Sequence, residues 1–104
     1  MADTLPPGWT GNDSDHHTDI GPFRLHVYRP SAYNPFARRN LRADYYRWHI
    51  SLVSPVGTGK PLSEARDSCA TAPLARHAAL TALLALLTTA TREATEALAG
   101  LETP

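Results

Sequence analysis

The sequence contains little cysteine, methionine or lysine, and no long apolar run. Among its 104 residues, Cys69 is the only cysteine, which excludes an intrachain disulfide and a zinc site built from several cysteines. The opening stretch, MADTLPPGW, lacks the basic and apolar segments of a secretion signal. The longest apolar region, around 78–87, is far shorter than the ~20 residues that span a bilayer. We therefore expect a cytoplasmic protein that does not contact a membrane.

The composition is that of one small globular domain, with 42% hydrophobic and 19% charged residues. The formal net charge of zero hides an uneven distribution. Residues 1–21 carry four aspartates and no basic residue, whereas residues 22–50 carry six arginines against one aspartate. A basic middle segment of this kind can attract an anionic partner.

Two segments alternate between apolar and polar side chains, with the period of two that is typical of half-buried strands. They are FRLHVYR (23–29) and YYRWHISLV (45–53). We predict that their polar sides form one outer sheet face, and that their apolar sides pack against a helix. The predicted core comprises Phe23, Leu25, Val27, Trp48, Ile50, Leu52, Leu80, Leu83, Leu84 and Leu87.

The rest of the N-terminal half shows no clear period. Residues 1–20 are rich in Asp, Gly, Pro and Thr and are predicted to form an irregular tail. Residues 30–42 are predicted to form a long loop between the two strands. Residues 62–72 are compatible with a helix start or a strand, and we favour a short strand over 68–71 because a two-stranded hairpin alone is a marginal sheet.

A helix over about 73–99 is predicted by leucines at 80, 83, 84 and 87, the spacing of one helix face. Ala94, Leu98 and Leu101 continue this apolar face, so its distal half needs a partner. The threonines at 88, 89 and 91 are weak helix formers and predict a break or fraying there.

The expected fold is α+β: a small two-layer antiparallel sheet of two long strands and a short third, packed on one C-terminal helix in a single domain over 21–104. The succession of PPGW, GPFRLHVYR, YYRWHISL and SCATAPLARHAALTALLAL resembles small hypothetical proteins of actinobacteria and their phages. That resemblance implies the same order of strands and an Ala/Leu-rich helix, and it implies no particular activity.

Two motifs are compared with known ligand-binding patterns. SPVGTGKP (54–61) has Ser54 where a phosphate-binding P-loop has its first glycine and Pro61 where the loop has Ser or Thr, so we predict a turn. DSDHHTD (13–19) combines three carboxylates with two imidazoles, but no apolar residue before Ile20 would fix them. We predict neither a metal site nor a cofactor.

A third motif concerns catalysis. HISL (49–52) is similar to the H-x-[ST]-h motif of the 2H phosphoesterases, in which two such histidines flank a phosphodiester. His26 is followed by Val27 and Tyr28, so the sequence around His26 does not match the motif and a second copy is missing. His26 and His49 as cross-strand neighbours would still provide a general acid/base pair. For a chain this small we nevertheless predict no enzyme.

The predicted function is a non-catalytic interaction module that binds a protein partner or a second copy through the outer sheet face or the distal helix. The alternative is single-stranded nucleic-acid binding, because planar rings interleaved with guanidinium groups suit bases and phosphates. Zero net charge speaks against strong non-specific DNA binding. The candidate binding residues are Arg24, His26, Tyr28, Arg38, Arg39, Arg42, Tyr45, Arg47 and His49.

Overall fold

The computed structural model describes residues 5–34, 39–42 and 44–102, with the backbone alone at 32–34 and 39–42. Within these ranges the chain forms eight β-strands followed by one α-helix, which confirms the α+β class. The elements are β1 (Thr10–Asn12), β2 (Asp15–Ile20), β3 (Phe23–Tyr28), β4 (Ser31–Asn34), β5 (Arg39–Arg42), β6 (Arg47–Ser54), β7 (Gly57–Thr58), β8 (Ser63–Glu64) and α1 (Ala72–Glu102).

The main sheet is antiparallel and larger than predicted. Its strand order is β1-β2-β3-β6-β7, and β8 also pairs with β6. Residues 10–20, predicted as part of an irregular tail, instead form the β1–β2 hairpin. The Asn12 side-chain oxygen accepts hydrogen bonds from the backbone N–H groups of Ser14 and Asp15, and Gly11 has a positive φ of 124° in a place where a Cβ atom would collide with the Asp15 carbonyl. Polar turn chemistry thus forms a hairpin that apolar periodicity does not reveal.

The segments around β6 also differ from their predictions. The predicted loop over 30–42 contains the hairpin of β4 and β5, which forms a separate two-stranded sheet. The predicted strand over 68–71 is reduced to one bridge between Tyr46 and Cys69, and β8 pairs instead at Ser63 and Glu64. SPVGTGKP turns the chain between β6 and β7, as predicted.

The helix is continuous over 31 residues, about 46 Å at ~1.5 Å per residue. It begins after Thr71, whose hydroxyl accepts a hydrogen bond from the Leu74 N–H at 3.3 Å and so acts as an N-cap. The threonines at 88, 89 and 91 do not break it. The Ala and Leu residues around them are strong helix formers, which outweighs three weak positions.

The core lies between the inner sheet face and the first half of α1. The helix presents Ala72, Ala75, Ala79 and Leu83 to the sheet. Small alanine side chains let the helix lie close to the sheet, where the larger Tyr46 and Trp48 fill the space between them. The buried apolar residues are Leu25, Val27, Tyr46, Trp48, Ile50, Ala65, Ala72, Ala75, Ala79 and Leu83.

The predicted core is therefore only partly correct. Five of its ten residues are buried and Phe23 is half-buried, whereas Leu52, Leu80, Leu84 and Leu87 are exposed. The helix is turned by about 100° relative to the prediction, because each residue advances about 100° around the axis and Ala79, not Leu80, faces the sheet. The leucine periodicity is real, but it lies beside the buried face.

The first hairpin is attached to the helix through His16, which is fully buried. Its Nδ1 lies 2.9 Å from the Asn12 carbonyl oxygen and its Nε2 lies 3.1 Å from Arg76. A carbonyl can only accept and a guanidinium can only donate. The ring is therefore neutral, with its proton on Nδ1. The indole of Trp9 packs edge-on against it.

Candidate functional site on the outer sheet face and the exposed helix

Three histidines and a glutamate lie in one row across the outer sheet face. The strand register pairs His17 with His26, His26 with His49, and His49 with Glu64. Because side chains in register on neighbouring strands point to the same face, four strands contribute one titratable group each to this row.

At the centre of the row, Asp15, His26 and His49 form a chain of polar contacts. His26 Nε2 lies 2.6 Å from the Asp15 carboxylate, and His26 Nδ1 lies 3.3 Å from His49 Nε2. The two imidazoles meet edge to face, with 4.8 Å between ring centroids. Tyr28 stacks on His26 at 5.1 Å. The imidazoles thus converge, as the sequence prediction of cross-strand neighbours requires.

The contacts determine where the protons lie. Since a carboxylate accepts, His26 Nε2 carries a hydrogen and donates it to Asp15. In the neutral pair, His26 Nδ1 then accepts from the Nε2–H of His49. Burial lowers the pKa of His49, and the nearby His26 lowers it further, while Glu64 and Asp15 oppose this effect. The pair therefore resists carrying two positive charges.

The arginines of this face are engaged by the protein itself. Arg24 donates to both carboxylate oxygens of Asp19, at 2.7 and 3.0 Å, and this hydrogen bonding lowers the pKa of Asp19. Arg47 donates to the backbone carbonyl of Ala65. The charge of Arg24 is thus compensated by Asp19, whereas Arg47 keeps its charge and has part of its donor capacity occupied.

The structure brings together five of the predicted binding residues: Arg24, His26, Tyr28, Arg47 and His49. Tyr45 lies just before β6 and is 37% exposed. Arg39 and Arg42 belong to β5, in the separate hairpin, and Arg38 lies outside the described residues.

Sequence reasoning missed Asp15, His17 and Asp19, which face the same side from β2. Their alternation within DSDHHTD has the period of two that marks a strand, but both of its faces are polar, so the apolar signal is missing. Within the described ranges, no three His, Cys, Asp or Glu side chains are placed to hold a metal ion together.

A second surface lies on α1, where six apolar residues and one threonine recur at alternating spacings of four and three. We call this set the leucine seam: Leu80, Leu84, Leu87, Thr91, Ala94, Leu98 and Leu101. The spacing is that of the a and d positions of a heptad repeat. Leu84 is 66% exposed, Leu98 57% and Leu101 85%. The seam is an apolar surface that the described part of the fold leaves open.

The flanks of the seam are small and uncharged. Threonines occupy 81, 88 and 95 on one side, and alanines occupy 90 and 97 on the other. By helical geometry, Glu93 and Glu96 lie on the opposite side of the helix, whereas Arg92 lines one pocket with Leu84, Leu87, Thr88 and Thr91. Such a surface permits close approach of another apolar helix and offers it one charge, that of Arg92.

By length and composition alone, α1 is also apolar enough to cross a membrane, although the expectation from the sequence excluded a span. The core helix of a soluble protein passes the same test. Between Arg76 and Arg92 the helix has only 15 uncharged residues, about 22 Å at ~1.5 Å per residue. The hydrocarbon core of a bilayer is ~30 Å thick.

Comparison of the chain with models of protein families, with curated proteins and with solved structures finds no match.

Proposed function

We propose that this protein is an interaction module that self-associates by pairing the leucine seams of two copies. The observation that carries the proposal is the exposed heptad pattern, with Leu84, Leu98 and Leu101 open to solvent along one side of a helix that extends past the sheet. Exposed apolar surface that is contiguous over several turns marks an interaction site.

A second copy suits this seam for reasons of shape and chemistry. A spacing of 3.5 residues keeps the same side of two helices in contact when they supercoil around each other. The seam runs for three heptads from Leu80 to Leu101. Its alanine and threonine flanks allow the helix axes to approach closely, and a second copy supplies the same uncharged flanks in return.

Antiparallel pairing is the arrangement that we infer. In a parallel pair the two sheets would lie side by side. In an antiparallel pair the sheets lie at opposite ends. Opposed helix dipoles also favour the antiparallel arrangement.

The expected affinity is modest. Full burial of a leucine contributes about 1.5–3 kcal/mol, and the five seam leucines of each chain are already partly covered. Pairing therefore contributes on the order of 10 kcal/mol, against an association cost of about 4–15 kcal/mol. We expect a monomer–dimer equilibrium with a Kd of tens of micromolar or weaker, about −6 kcal/mol or less in magnitude.

Sedimentation equilibrium across this concentration range tests the proposal. Leu98→Glu places a charge in the seam and is expected to leave a monomer at every concentration. Thr89→Glu introduces the same charge on the opposite side of the same helix and is expected to dimerise like the wild type. A wild-type protein that stays monomeric at ~1 mM would overturn self-association. A Leu98→Glu variant that dimerises normally would overturn pairing through the leucine seam.

Single-stranded nucleic-acid binding by the outer sheet face has less support. Arg24 and Arg47 are engaged by Asp19 and the Ala65 carbonyl, and Asp15 adds negative charge beside them. Such a face has few free cations for the many phosphates of a nucleic-acid backbone. Measurable binding of an oligothymidine at low salt, with an affinity that falls as the salt concentration rises, would support this alternative.

A further inference from the structure

The outer sheet face contains a cavity of about 180 Å³ between β2, β3, β6 and β7. Its lining residues are His17, Arg24, His26, His49, Ser51 and Thr58. Among the described residues, every side chain of this lining carries a hydrogen-bond donor or becomes one on protonation, and none is a carboxylate. A lining of this chemistry suits an oxyanion.

Two parts of the lining are fixed by the fold. Ser51 is only 2% exposed, so its hydroxyl lies at the base of the cavity on a central strand. Arg24 is held in place by Asp19 through Nε and Nη2, which leaves its other terminal nitrogen, Nη1, available to a ligand. The donors are therefore positioned before a ligand arrives, which lowers the ordering cost of binding.

The His26–His49 contact makes the donor set depend on one proton. In the neutral pair, His49 Nε2–H donates to His26 Nδ1, and the second nitrogen of His49 holds a lone pair. After uptake of one proton, His26 carries two N–H groups and donates to His49 Nε2. The hydrogen of His49 then lies on its Nδ1. One proton thus turns Nδ1 of His49 from an acceptor into a donor. The Asp15 carboxylate, which contacts His26 Nε2, balances the added positive charge.

We propose that this cavity binds a small tetrahedral oxyanion of the phosphate and sulfate class, and that binding is coupled to the uptake of one proton by the His26–His49 pair. This inference is independent of pairing through the helix. The charged and titratable groups that face the pair come from four strands: Asp15, His17 and Asp19 on β2, Arg24 and Tyr28 on β3, Arg47 on β6, and Glu64 on β8. The three carboxylates limit the affinity, so we expect millimolar binding.

Sulfate is the probe for the test because its charge does not change between pH 6 and 8. Binding is followed by NMR chemical shifts at constant ionic strength. We expect saturable shifts at Arg24, His49 and Ser51, and at least about fivefold tighter binding at pH 6 than at pH 8, in line with the linkage of one proton to one ligand. Inorganic phosphate is expected to bind at the same residues.

Two variants test the roles of His49 and Ser51 in sulfate binding, and a third is the control. His49→Gln removes the imidazole whose Nδ1 gains a hydrogen on proton uptake, and it is expected to reduce the pH dependence. Ser51→Ala is expected to weaken binding at least about threefold while keeping the pH dependence. His77→Gln makes the same exchange at an exposed histidine on the helix and is expected to bind like the wild type. Absence of saturable sulfate binding at pH 6, or an unchanged pH dependence in folded His49→Gln, would overturn the proposal.

Discussion

Arg76 of the helix donates a hydrogen bond across 3.1 Å to the buried ring of His16, 60 positions earlier in the chain. This contact joins the first hairpin to the second layer of the fold. Because the donor is a cation, it stabilises the neutral ring and opposes a protonated one. Burial lowers the pKa of His16 below its ordinary value near 6.5, the Asn12 hydrogen bond partly opposes this, and Arg76 lowers it further.

We therefore expect the fold to lose stability in mild acid. Below pH 6.5 the unfolded chain takes up a proton at His16, whereas the folded chain does not until the pH reaches the lower, folded-state pKa. The free energy of unfolding thus falls as the pH drops through this window, by at most about 1.4 kcal/mol per pH unit for one group. Urea denaturation at several values between pH 7.5 and 5 measures the slope.

The matched variants are His16→Gln and His77→Gln. We expect the slope to become shallower in His16→Gln, with a remainder from His49, whose pKa is also lowered. His77→Gln should keep the wild-type slope. An unchanged slope in His16→Gln would show that His16 does not control acid stability.

The facing imidazoles predict a specific titration behaviour. We expect NMR to show the pKa of His49 below 6.5, because burial and the adjacent His26 both disfavour its protonated form. His26→Gln should raise the pKa of His49 only in part, since burial, the larger cause, remains. A His49 pKa above 6.5 in the wild type would contradict the buried contact.

The close approach of helix and sheet predicts intolerance to larger side chains. Ala79 is fully buried against the sheet, so Ala79→Leu should lower the free energy of unfolding by about 1–3 kcal/mol. Ala85→Leu makes the same exchange at an exposed helix position and should change it by less than about 0.5 kcal/mol. Chemical denaturation compares the two, and equal effects would argue against the alanine-faced interface.

Antiparallel pairing of the leucine seam predicts a distance. Consider a register in which Leu84 of one chain lies opposite Leu101 of the other, so that the antiparallel pair is centred near 92–93. With a spin label at Glu102→Cys in a Cys69→Ser background, this pair separates the labels by about 28 Å, whereas a parallel pair places them about 10 Å apart. Pulsed electron–electron double resonance on the dimer distinguishes the two orientations. A dominant distance of about 10 Å would show that the helices pair in parallel and would contradict the inferred antiparallel orientation.

Period-two alternation correctly predicted the two central strands, including the burial of Trp48 and Ile50. It failed for residues 10–20, because in β2 only His16 is buried and no run of apolar residues marks the inner side. That hairpin depends on Asn12, Gly11 and the distant Arg76. Neither turn residues nor a contact 60 positions away produces a periodic apolar pattern.

For the helix, the prediction found the element but not the face that packs against the sheet. Its apolar pattern was strong enough to predict the element but assigned the wrong face to the core, because leucine was weighted above alanine. At a close helix–sheet contact, the smaller side chain is the one that fits. The same error hid the first half of the seam, since Leu80, Leu84 and Leu87 were counted as core when they are open to solvent. The distal half, with Leu98 and Leu101, was already predicted to need a partner.

The lengths of the outermost strands have a consequence for aggregation. β1 has three residues, and β7 and β8 have two each, so each border of the main sheet offers too short a row of backbone groups to template a foreign strand. Short borders of this kind protect against strand addition and amyloid-like growth. Under the proposed pairing an assembly therefore forms through the helix and remains finite, because a paired seam is occupied and the described borders of the main sheet offer no long ladder to extend.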